Sequence, residues 1–375
     1  MNTSQEEYLQ QFHEGTGYLN FSGIGPISEA AIAINHQMDI DLQHAKVGTA
    51  EDLSNRYVVS ATQEIAQYIG VPTNQIAMQP NTSEGLFQAA FSLGQIDGHV
   101  PVVLLNNHEF PSNFYPWKRA ESAGLLKTRT YSGDATAENI RPYLDGVDVL
   151  ALSAVDFQTG FRVDLDEIRE AIGDRLLVVD GIQAFGASPM DWKLADVLLV
   201  GGQKWLRAGW GSGFMYCSQR ALERCDKPLL SGWFGTQTPH LYDALLHDPA
   251  KGIERFSITA LDPMASGRLS AAMHLVNSVG VEWIFGRIND FALRLGADVE
   301  RLGGRLLRSD DPRHQSTVLP LSFEGKDPAG IGKVLTDAGI VCSVHPKTVR
   351  ISPHATSSQE TYDLLVTSLS EALKQ

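Results

Sequence analysis

Short, nearly continuous apolar runs alternate with amphipathic stretches through most of this 375-residue chain. Such runs are typical of strands that are buried on both faces of a sheet. The predicted strands are Val100–Leu105, Val147–Val155, Leu176–Val179 and Val197–Val200, and the predicted helices between them are Ser83–Leu93, Pro111–Ala123, Ala137–Leu144 and Leu165–Ile172. Strands and helices that alternate at this spacing predict an α/β fold with a mostly parallel sheet and helices on both faces.

The pattern changes after about residue 262. A long helical stretch, Pro263–Arg301, is interrupted near Gly280 and precedes a smaller set of strands and helices. This set comprises Thr317–Phe323, Pro328–Ala338, Ile340–Val344, Val349–Ile351 and Ser357–Leu373. We predict a large α/β domain of residues 15–262 and a small C-terminal α+β domain of residues 263–375. The N-terminal segment of residues 1–14 is expected to pack against the small domain.

An excess of acidic residues limits the classes of partner. The chain has 44 Asp and Glu against 30 Lys and Arg, a formal net charge of −14, so nucleic acids and anionic membranes are expected to be repelled. No apolar run approaches the ~18 residues of a membrane span, and the N-terminus has no signal-peptide pattern. The three cysteines suggest neither a disulfide framework nor a metal cluster. We expect a cytoplasmic enzyme with no metal, nucleic-acid partner or membrane partner.

One carboxylate and one lysine come directly after two of the predicted strands. Asp180 ends the run Leu176–Val179, and Lys204 follows Val197–Val200 after two glycines and a glutamine. Taken singly, Asp180 would more often cap a turn, and Lys204 would more often lie at the surface. Because ligands of open α/β sheets collect at the carboxyl ends of the strands, the pair favours a pyridoxal phosphate site. There a desolvated lysine bonds the cofactor aldehyde, and a carboxylate keeps the pyridine nitrogen protonated.

A candidate phosphate site follows the short apolar run Ile76–Met78. The segment Asn81–Gly85 opens a predicted helix and places hydroxyl groups at Thr82 and Ser83. A helix N-terminus favours an anion because its N–H groups are free and its dipole is positive there. The same residue types are common helix caps, so this segment alone leaves both interpretations open.

Together these segments resemble the class V aminotransferase family of fold-type I pyridoxal phosphate enzymes, which includes cysteine desulfurases, isopenicillin-N-epimerase-like proteins and kynureninases. The resemblance rests on Asp180-Gly-Ile-Gln183 followed by Gly-Gly-Gln-Lys204-Trp, and it extends from about Leu19 to Thr356. It implies a large domain with a mostly parallel sheet of the seven-stranded type. It also implies that Lys204 carries the internal aldimine, that Asp180 pairs with the pyridine nitrogen, and that Gln183 hydrogen-bonds the phenolic oxygen of the ring.

The resemblance assigns further cofactor contacts. Thr82 and Ser83 would bind the phosphate, and Gln203 stands where the family often has a histidine or tyrosine. Phe110 would stack on the ring, although a helix that starts at a proline could equally bury it in the core. Asn113 would reach the phosphate.

The strand and turn beneath the ring would include Ser153. Near the C-terminus, Arg350 would bind the α-carboxylate of the substrate, since its planar guanidinium can form two parallel hydrogen bonds. The alternative for Arg350 is a salt bridge on a small-domain strand. The family usually has Tyr-Asn-Thr after His354, and Ala355-Thr356 replaces it here.

The resemblance also implies a homodimer in which contacts cross the interface. Thr259 would contact the phosphate across it. Trp233, within Ser231-Gly-Trp-Phe-Gly235, resembles a tryptophan-rich turn by which kynureninases approach the substrate from the partner subunit. Trp233 could equally be a packed aromatic residue of the interface.

The reaction type depends on what happens after the first proton transfer. In this family the lysine takes the α-proton and leaves a quinonoid intermediate, from which transamination, loss of a β-substituent or racemisation can follow. We predict a class V aminotransferase-like enzyme acting on an amino acid. The alternative is a β-lyase, either a carbon–sulfur lyase or a kynureninase-like enzyme.

Cysteine desulfurase activity is disfavoured. Cys342 lies only eight residues before Arg350, in an apolar run that predicts a strand, and strand cysteines are usually inert packing. The intervening segment Ser343–Thr348 is too short for the extended loop that carries a desulfurase cysteine.

The sequence disfavours two other classes of protein. A nicotinamide dehydrogenase would need a glycine-rich loop between a strand and a helix, whereas Gly209–Gly213 precedes a strand-like run. A non-catalytic protein that keeps the fold is disfavoured because both Asp180 and Lys204 are present.

Overall fold

The computed structural model of the protein describes residues 3–93, 99–225 and 228–374. The helices of these ranges are α1 (Thr3–Gln10), α2 (Glu29–Gln43), α3 (Thr49–Ile69), α4 (Thr82–Ser92), α5 (Tyr115–Ser122), α6 (Ala137–Ile140), α7 (Leu165–Ile172), α8 (Gln219–Arg224), α9 (Pro263–Val279), α10 (Val281–Arg301), α11 (Pro328–Asp337) and α12 (Gln359–Lys374). The strands are β1 (Ile76–Met78), β2 (Val102–Asn106), β3 (Lys127–Tyr131), β4 (Val149–Ser153), β5 (Leu176–Asp180), β6 (Val197–Gly201), β7 (Gly213–Cys217), β8 (Gly304–Leu306), β9 (Leu319–Phe323), β10 (Ser343–His345) and β11 (Thr348–Ile351).

Within the described residues, β1 to β7 form one sheet in the order β1-β7-β6-β5-β4-β2-β3. Strands β2 to β6 run parallel, and β7 is antiparallel to both of its neighbours. Every residue of β5 and β6 is buried, because alternate side chains pack into cores on opposite faces of the sheet. Helices α3, α7 and α9 cover one face, and α4, α5 and α8 cover the other. The predicted mostly parallel α/β architecture is confirmed.

Two helix boundaries show how the sequence fixes local structure. Helix α7 begins after Asp164, whose carboxylate accepts the N–H groups of Asp166 and Glu167, as expected for an N-cap. Helices α9 and α10 are separated at Gly280, where φ is 80°, so the predicted interruption is confirmed. Of the helices in the described ranges, none is long and apolar enough to cross a membrane.

A second, antiparallel sheet has the order β10-β11-β9-β8 and packs against α10, α11 and α12. The N-terminal part of the chain joins this sheet: Tyr18 and Asn20 form isolated bridges with Val341 and Ser352. Upstream of it, the ring of Tyr8 on α1 stacks 6.5 Å from that of His354. Along the chain, the strands of the large sheet precede residue 262 and those of the small sheet follow it. The proposed domain boundary itself stays a prediction.

Two predicted elements are wrong in detail. The helix predicted over Pro111–Ala123 divides into a 3₁₀ turn and α5, because Pro116 lacks the N–H that a continuous helix would need. The strand predicted over Ile340–Val344 begins only at Ser343. The backbone of Val341 instead bonds to Gly17 and Leu19 of the N-terminal part of the chain.

Candidate active site

The register of the parallel strands aligns several strand ends at one edge of the large sheet. Ser153 at the end of β4 lies beside Asp180 at the end of β5, and Asp180 lies beside Leu199 of β6. Strand β6 ends at Gly201, and the chain then reaches Lys204. The predicted carboxylate and lysine therefore meet at the same edge of the sheet.

Asp180 is a buried carboxyl group, with 3% of the residue exposed. Its Oδ1 accepts a hydrogen bond from the N–H of Ile182 at 3.0 Å. Burial raises the pKa of Asp180 to about 6, and the Ile182 N–H and the charge of Lys204 oppose this rise. A cation held against Asp180, such as a protonated pyridine nitrogen, would favour the ionised carboxylate further.

Lys204 is half-buried, and its Nζ lies 5.7 Å from the centre of the Phe110 ring. Burial lowers the pKa of Lys204 to about 8; Arg350 lowers it further, whereas Asp180 raises it. An amine with this pKa is partly unprotonated near neutral pH and can act as a nucleophile or a base. The Phe110 ring is exposed and meets Phe157 edge-on at 5.1 Å, so it lies at the site and not in the core.

Gln183 is held at both ends of its amide group. Its Nε2 donates to the carbonyl of Ser22 at 3.1 Å, and its Oε1 accepts from the indole N–H of Trp205 at 3.0 Å. These contacts fix the orientation of a buried side chain beside the sheet edge. The sequence did not indicate either partner.

A polar cradle lies at the N-terminus of α4. Thr82 Oγ1 is buried and has no hydrogen-bond partner among the described residues. A Cβ added to Gly201 would lie 2.5 Å from Gln203 Oε1 and 3.0 Å from Thr82 Oγ1, so a side chain at Gly201 would fill this space. Ser83 Oγ donates to Ser112 Oγ at 2.9 Å. The structure thus brings Thr82 and Gln203 together, with Ser83 on the same helix end.

Glu109 is a site residue that the sequence analysis missed. Its carboxyl oxygens accept the N–H of Ser153 at 2.9 Å and its hydroxyl at 2.5 Å. Burial, reinforced by the charge of Asp180, raises the pKa of Glu109 to about 7, although Ser153 and Asn113 oppose the rise. Asn113 is itself fully buried and accepts the indole N–H of Trp117 at 3.1 Å. Ser153 therefore contacts Glu109, and Asn113 contacts the buried Trp117. The signal for Glu109 was its position next to Phe110.

Arg350 on β11 reaches the same region from the small sheet. Its Nη1 donates to the carbonyl of Phe157 at 2.6 Å and its Nη2 to Ser343 Oγ at 3.1 Å. Ser343 Oγ in turn donates to Asn20 Oδ1 at 2.9 Å. Burial lowers the pKa of Arg350 to about 10, but the group stays charged at neutral pH. Its Nε is buried and has no partner in the described part of the chain.

Comparison with known proteins identifies the family. The family described as "Aminotransferase class-V" matches residues 37–361, which include the strand ends, the α4 cradle and Arg350. The chain belongs to the class V aminotransferase family. It is therefore a pyridoxal-phosphate-dependent enzyme, and the predicted family, cofactor and enzymatic nature are confirmed.

Relatives of this class V aminotransferase family member differ in activity. This chain is 29% identical to a kynureninase of Deinococcus radiodurans over 58% of its own length and 53% of that relative. The match therefore spans about half of the kynureninase. The chain is 25% identical to an uncharacterized aminotransferase of Bacillus subtilis over 80% of each chain. The structure of a cysteine desulfurase from Thermococcus onnurineus NA1 has a TM-score of 0.83 at 20% identity, over 96% of this chain and 95% of that one. This likeness confirms the fold-type I architecture.

The residues present fit pyridoxal phosphate. The unpartnered hydroxyl of Thr82 and the space over Gly201 suit a phosphate at a helix N-terminus. The buried carboxyl of Asp180 suits a pyridine nitrogen, and Lys204 lies beside it with a lowered pKa. These are the residues of this family member that would hold the group.

Two predicted contacts lie elsewhere in the family member. Thr259 is exposed and lines a cavity of about 310 Å³ that also includes Gln79, Gly211 and Phe256. Trp233 is half-exposed, and its ring meets Tyr242 in a wide groove. Neither is brought into the cluster around Lys204 within one chain.

Cys342 does not have the environment of a reactive thiol. It lies within the predicted strand Ile340–Val344 but directly before the observed β10, and it packs against the core of the small sheet. Burial raises its pKa to about 11, which disfavours the thiolate. Among the described residues, no group of three or more His, Cys, Asp or Glu side chains could hold a metal ion.

Proposed function

We propose that this protein transaminates an amino acid, with Lys204 as the residue that moves the proton. The supporting observation is electrostatic: the amine of Lys204 lies under the influence of two buried charged groups, the carboxylate of Asp180 and the guanidinium of Arg350. The carboxylate of Asp180 suits the ring nitrogen of the cofactor, and the guanidinium of Arg350 suits the carboxylate of an amino acid. Both groups act electrostatically on the amine of Lys204, which supports Lys204 as the residue that exchanges a proton with the substrate.

Each group has a separate task. Thr82, Ser83 and Gln203 would bind the phosphate, Gln183 would contact the ring oxygen, and Asp180 would hold a proton on the ring nitrogen. When bound, pyridoxal phosphate supplies an electron sink for the α-carbon of the substrate. Arg350 orients that α-carbon by binding the substrate carboxylate with its guanidinium.

Lys204 then acts as general base and acid. Because burial lowers its pKa to about 8, the unprotonated amine is accessible near neutral pH. It can accept the α-proton and, once protonated, donate it to a carbon other than the α-carbon, as transamination requires. Transamination needs no other proton donor than this lysine. A β-lyase also benefits from an acid near its leaving group. In the described ranges, the titratable groups that act on the pKa of Lys204 are Asp180 and Arg350, which have other tasks. The nearby acid Glu109 is bonded to Ser153.

A β-lyase remains the second candidate, whether kynureninase-like or a carbon–sulfur lyase. The observation that favours it is the similarity to the Deinococcus radiodurans kynureninase. A donor for the leaving group would then be Glu109, whose pKa burial raises to about 7, or a residue of a second copy of the chain. The partly buried thiol of Cys342, whose pKa is raised, argues against cysteine desulfurase chemistry in either case.

We also propose that the protein is a cytoplasmic homodimer. Thr259 and Trp233 are exposed in the single chain, and the site as described lacks the contacts predicted for them. A second copy would bring Thr259 to the phosphate and Trp233 to the substrate.

The reaction type is tested by incubating the holoenzyme with a panel of amino acids. Keto-acid product that forms only when an acceptor keto acid is present supports transamination. Pyruvate and ammonia formed without an acceptor would instead show a β-lyase, and alanine as the product would show kynureninase-like cleavage. Lys204→Ala should abolish every product, whereas Lys333→Ala, which removes an exposed lysine paired with Asp337, should leave the rates unchanged.

A further inference from the structure

Arg207 has a backbone conformation that its residue type rarely adopts. Its φ is 60°, and among the described non-glycine residues only Ala244 is also positive. A left-handed residue with a long side chain carries a conformational cost and persists where its surroundings hold it in place. Arg207 comes three residues after Lys204, so this strained position belongs to the turn that carries the predicted catalytic lysine.

The side chain of Arg207 is 1% exposed and binds three separate segments. Nε donates to the carbonyl of Pro26 at 2.6 Å, Nη2 forms an ion pair with Glu14 at 2.6 Å, and Nη1 donates to Thr356 Oγ1 at 2.9 Å. The guanidinium also lies 3.6 Å from the centre of the Phe12 ring. A planar guanidinium suits this arrangement because its donors point in fixed directions.

The same segments surround the backbone of Lys204. The N–H of Arg207 donates to the carbonyl of Lys204 at 3.0 Å, and the N–H of Gly25 donates to that of Gln203 at 2.8 Å. A Cβ on Gly25 would lie 2.2 Å from the Lys204 carbonyl oxygen. The peptide of Lys204 is therefore enclosed between the N-terminal part of the chain and Arg207.

The third partner connects this turn to the small sheet. Thr356 follows β11, the strand that carries Arg350, and its hydroxyl also bonds to Glu14. Arg207 and Glu14 thus join the turn of Lys204 to the segment after the strand of Arg350. Because the amine and the guanidinium belong to different sheets, contacts of this kind fix their relative position.

We propose that Arg207 is a positioning residue, whose ion pair with Glu14 sets the placement of Lys204 relative to the cofactor and to Arg350. This inference rests on the proposed function only in so far as Lys204 moves the substrate proton. Arg207 touches neither substrate nor cofactor; it acts through the backbone of Lys204.

The test compares holoenzymes of Arg207→Asn, Glu14→Gln and the double variant. Asparagine tolerates the left-handed conformation, so Arg207→Asn removes the side-chain contacts without adding backbone strain. Glu14→Gln keeps Arg207 and remains informative if Arg207→Asn does not fold. The matched control is Arg169→Gln, which breaks the partly buried ion pair with Asp196 and touches none of the residues around Lys204.

Positioning predicts a loss in kcat of about 10- to 100-fold, as misplacement of a reacting group commonly causes, with KM changed less. The visible circular dichroism of the bound cofactor should change in both single variants. The double variant should lose no more kcat than Arg207→Asn alone, because the two residues act as one unit. Arg169→Gln should lower the melting temperature but keep the wild-type kcat and dichroism.

The proposal is overturned if Arg207→Asn, or Glu14→Gln where the first does not fold, behaves like the control, with lower stability but unchanged kcat and dichroism. Additive losses in the double variant would also contradict it. The dichroism requires only bound cofactor, so it reports on Lys204 whichever reaction the enzyme catalyses. A failed transamination assay with altered dichroism would reject the proposed function and not this inference.

Discussion

At the scale of single residues, burial shifts the pKa values of two ionisable groups of the site in opposite directions. Burial raises the pKa of Asp180 to about 6 and lowers that of Lys204 to about 8. The two values lie on either side of neutral pH because the groups carry opposite charges when ionised. A buried carboxylate and a partly neutral amine are the states that a pyridoxal phosphate site needs.

This shift predicts the pH dependence of cofactor uptake by the apoenzyme. Only the unprotonated amine attacks the aldehyde, so the uptake rate should rise with pH through about 8 and then level off. Asp180→Asn removes the charge that raises the pKa of Lys204, so its inflection should lie at lower pH. Stopped-flow absorbance measures the rate, and N-acetyl-lysine amide provides the control for titration of the cofactor itself. An inflection near 10.5, the ordinary value for lysine, would contradict the burial of this amine.

Some site residues could be predicted and others could not. Asp180 and Lys204 were predictable because they directly follow buried strands, and chain order alone places strand ends at one edge. Glu109, Ser22 and Arg207 were not, because their roles depend on contacts between segments distant in sequence. The hydrogen bond from Gln183 to Ser22, for example, joins residues 161 positions apart.

At the scale of elements, the N-terminus of α4 carries a polar group that the described residues do not satisfy. Asn81 caps the helix by accepting the N–H of Glu84, but Thr82 Oγ1 is buried without a partner among the described residues. An unpartnered buried hydroxyl costs stability unless a ligand satisfies it. The helix end is therefore prepared for an anion.

Thr82→Val tests this helix end because valine keeps the shape of threonine and removes the hydroxyl. The Kd for pyridoxal phosphate should rise about 10- to 100-fold, equivalent to a charge-assisted hydrogen bond of about 1.5–3 kcal/mol. The melting temperature of the apoenzyme should not fall. Ser92→Ala, at the other end of α4, removes a hydroxyl that bonds to Gln88 and should leave the Kd unchanged. If the Kd of Thr82→Val equalled that of the wild type, the Thr82 hydroxyl would not be a phosphate ligand.

The sequence predicted the ends of helices and strands that depend on one local residue. It missed the ends that depend on contacts with distant parts of the chain. Gly280 ends α9 through its own backbone conformation, and the sequence indicated it. The start of β10 could not be predicted, since Val341 bonds to Gly17 and Leu19, which lie more than 300 residues earlier in the chain. Hydropathy alone does not distinguish these two kinds of pairing.

At the scale of the whole molecule, the chain carries a negative net charge, whereas the groups that would bind its ligands are positive. The formal net charge is −14, yet the cofactor phosphate and the substrate carboxylate are anions. The fold resolves this by bringing Lys204, Arg350 and the N-terminus of α4 together from two sheets and one helix. The charge excess therefore describes the rest of the chain, and the local arrangement decides which ligands bind.

The central claim is that Lys204, delivered beside Asp180 by the strand register, holds the cofactor. The most direct measurement is borohydride reduction of the yellow holoenzyme, followed by proteolysis and mass spectrometry. We predict that the reduced cofactor is found on the peptide containing Lys204, and that Lys204→Ala retains none covalently. Cofactor attached to a different lysine, or wild-type protein that takes up none, would contradict the account.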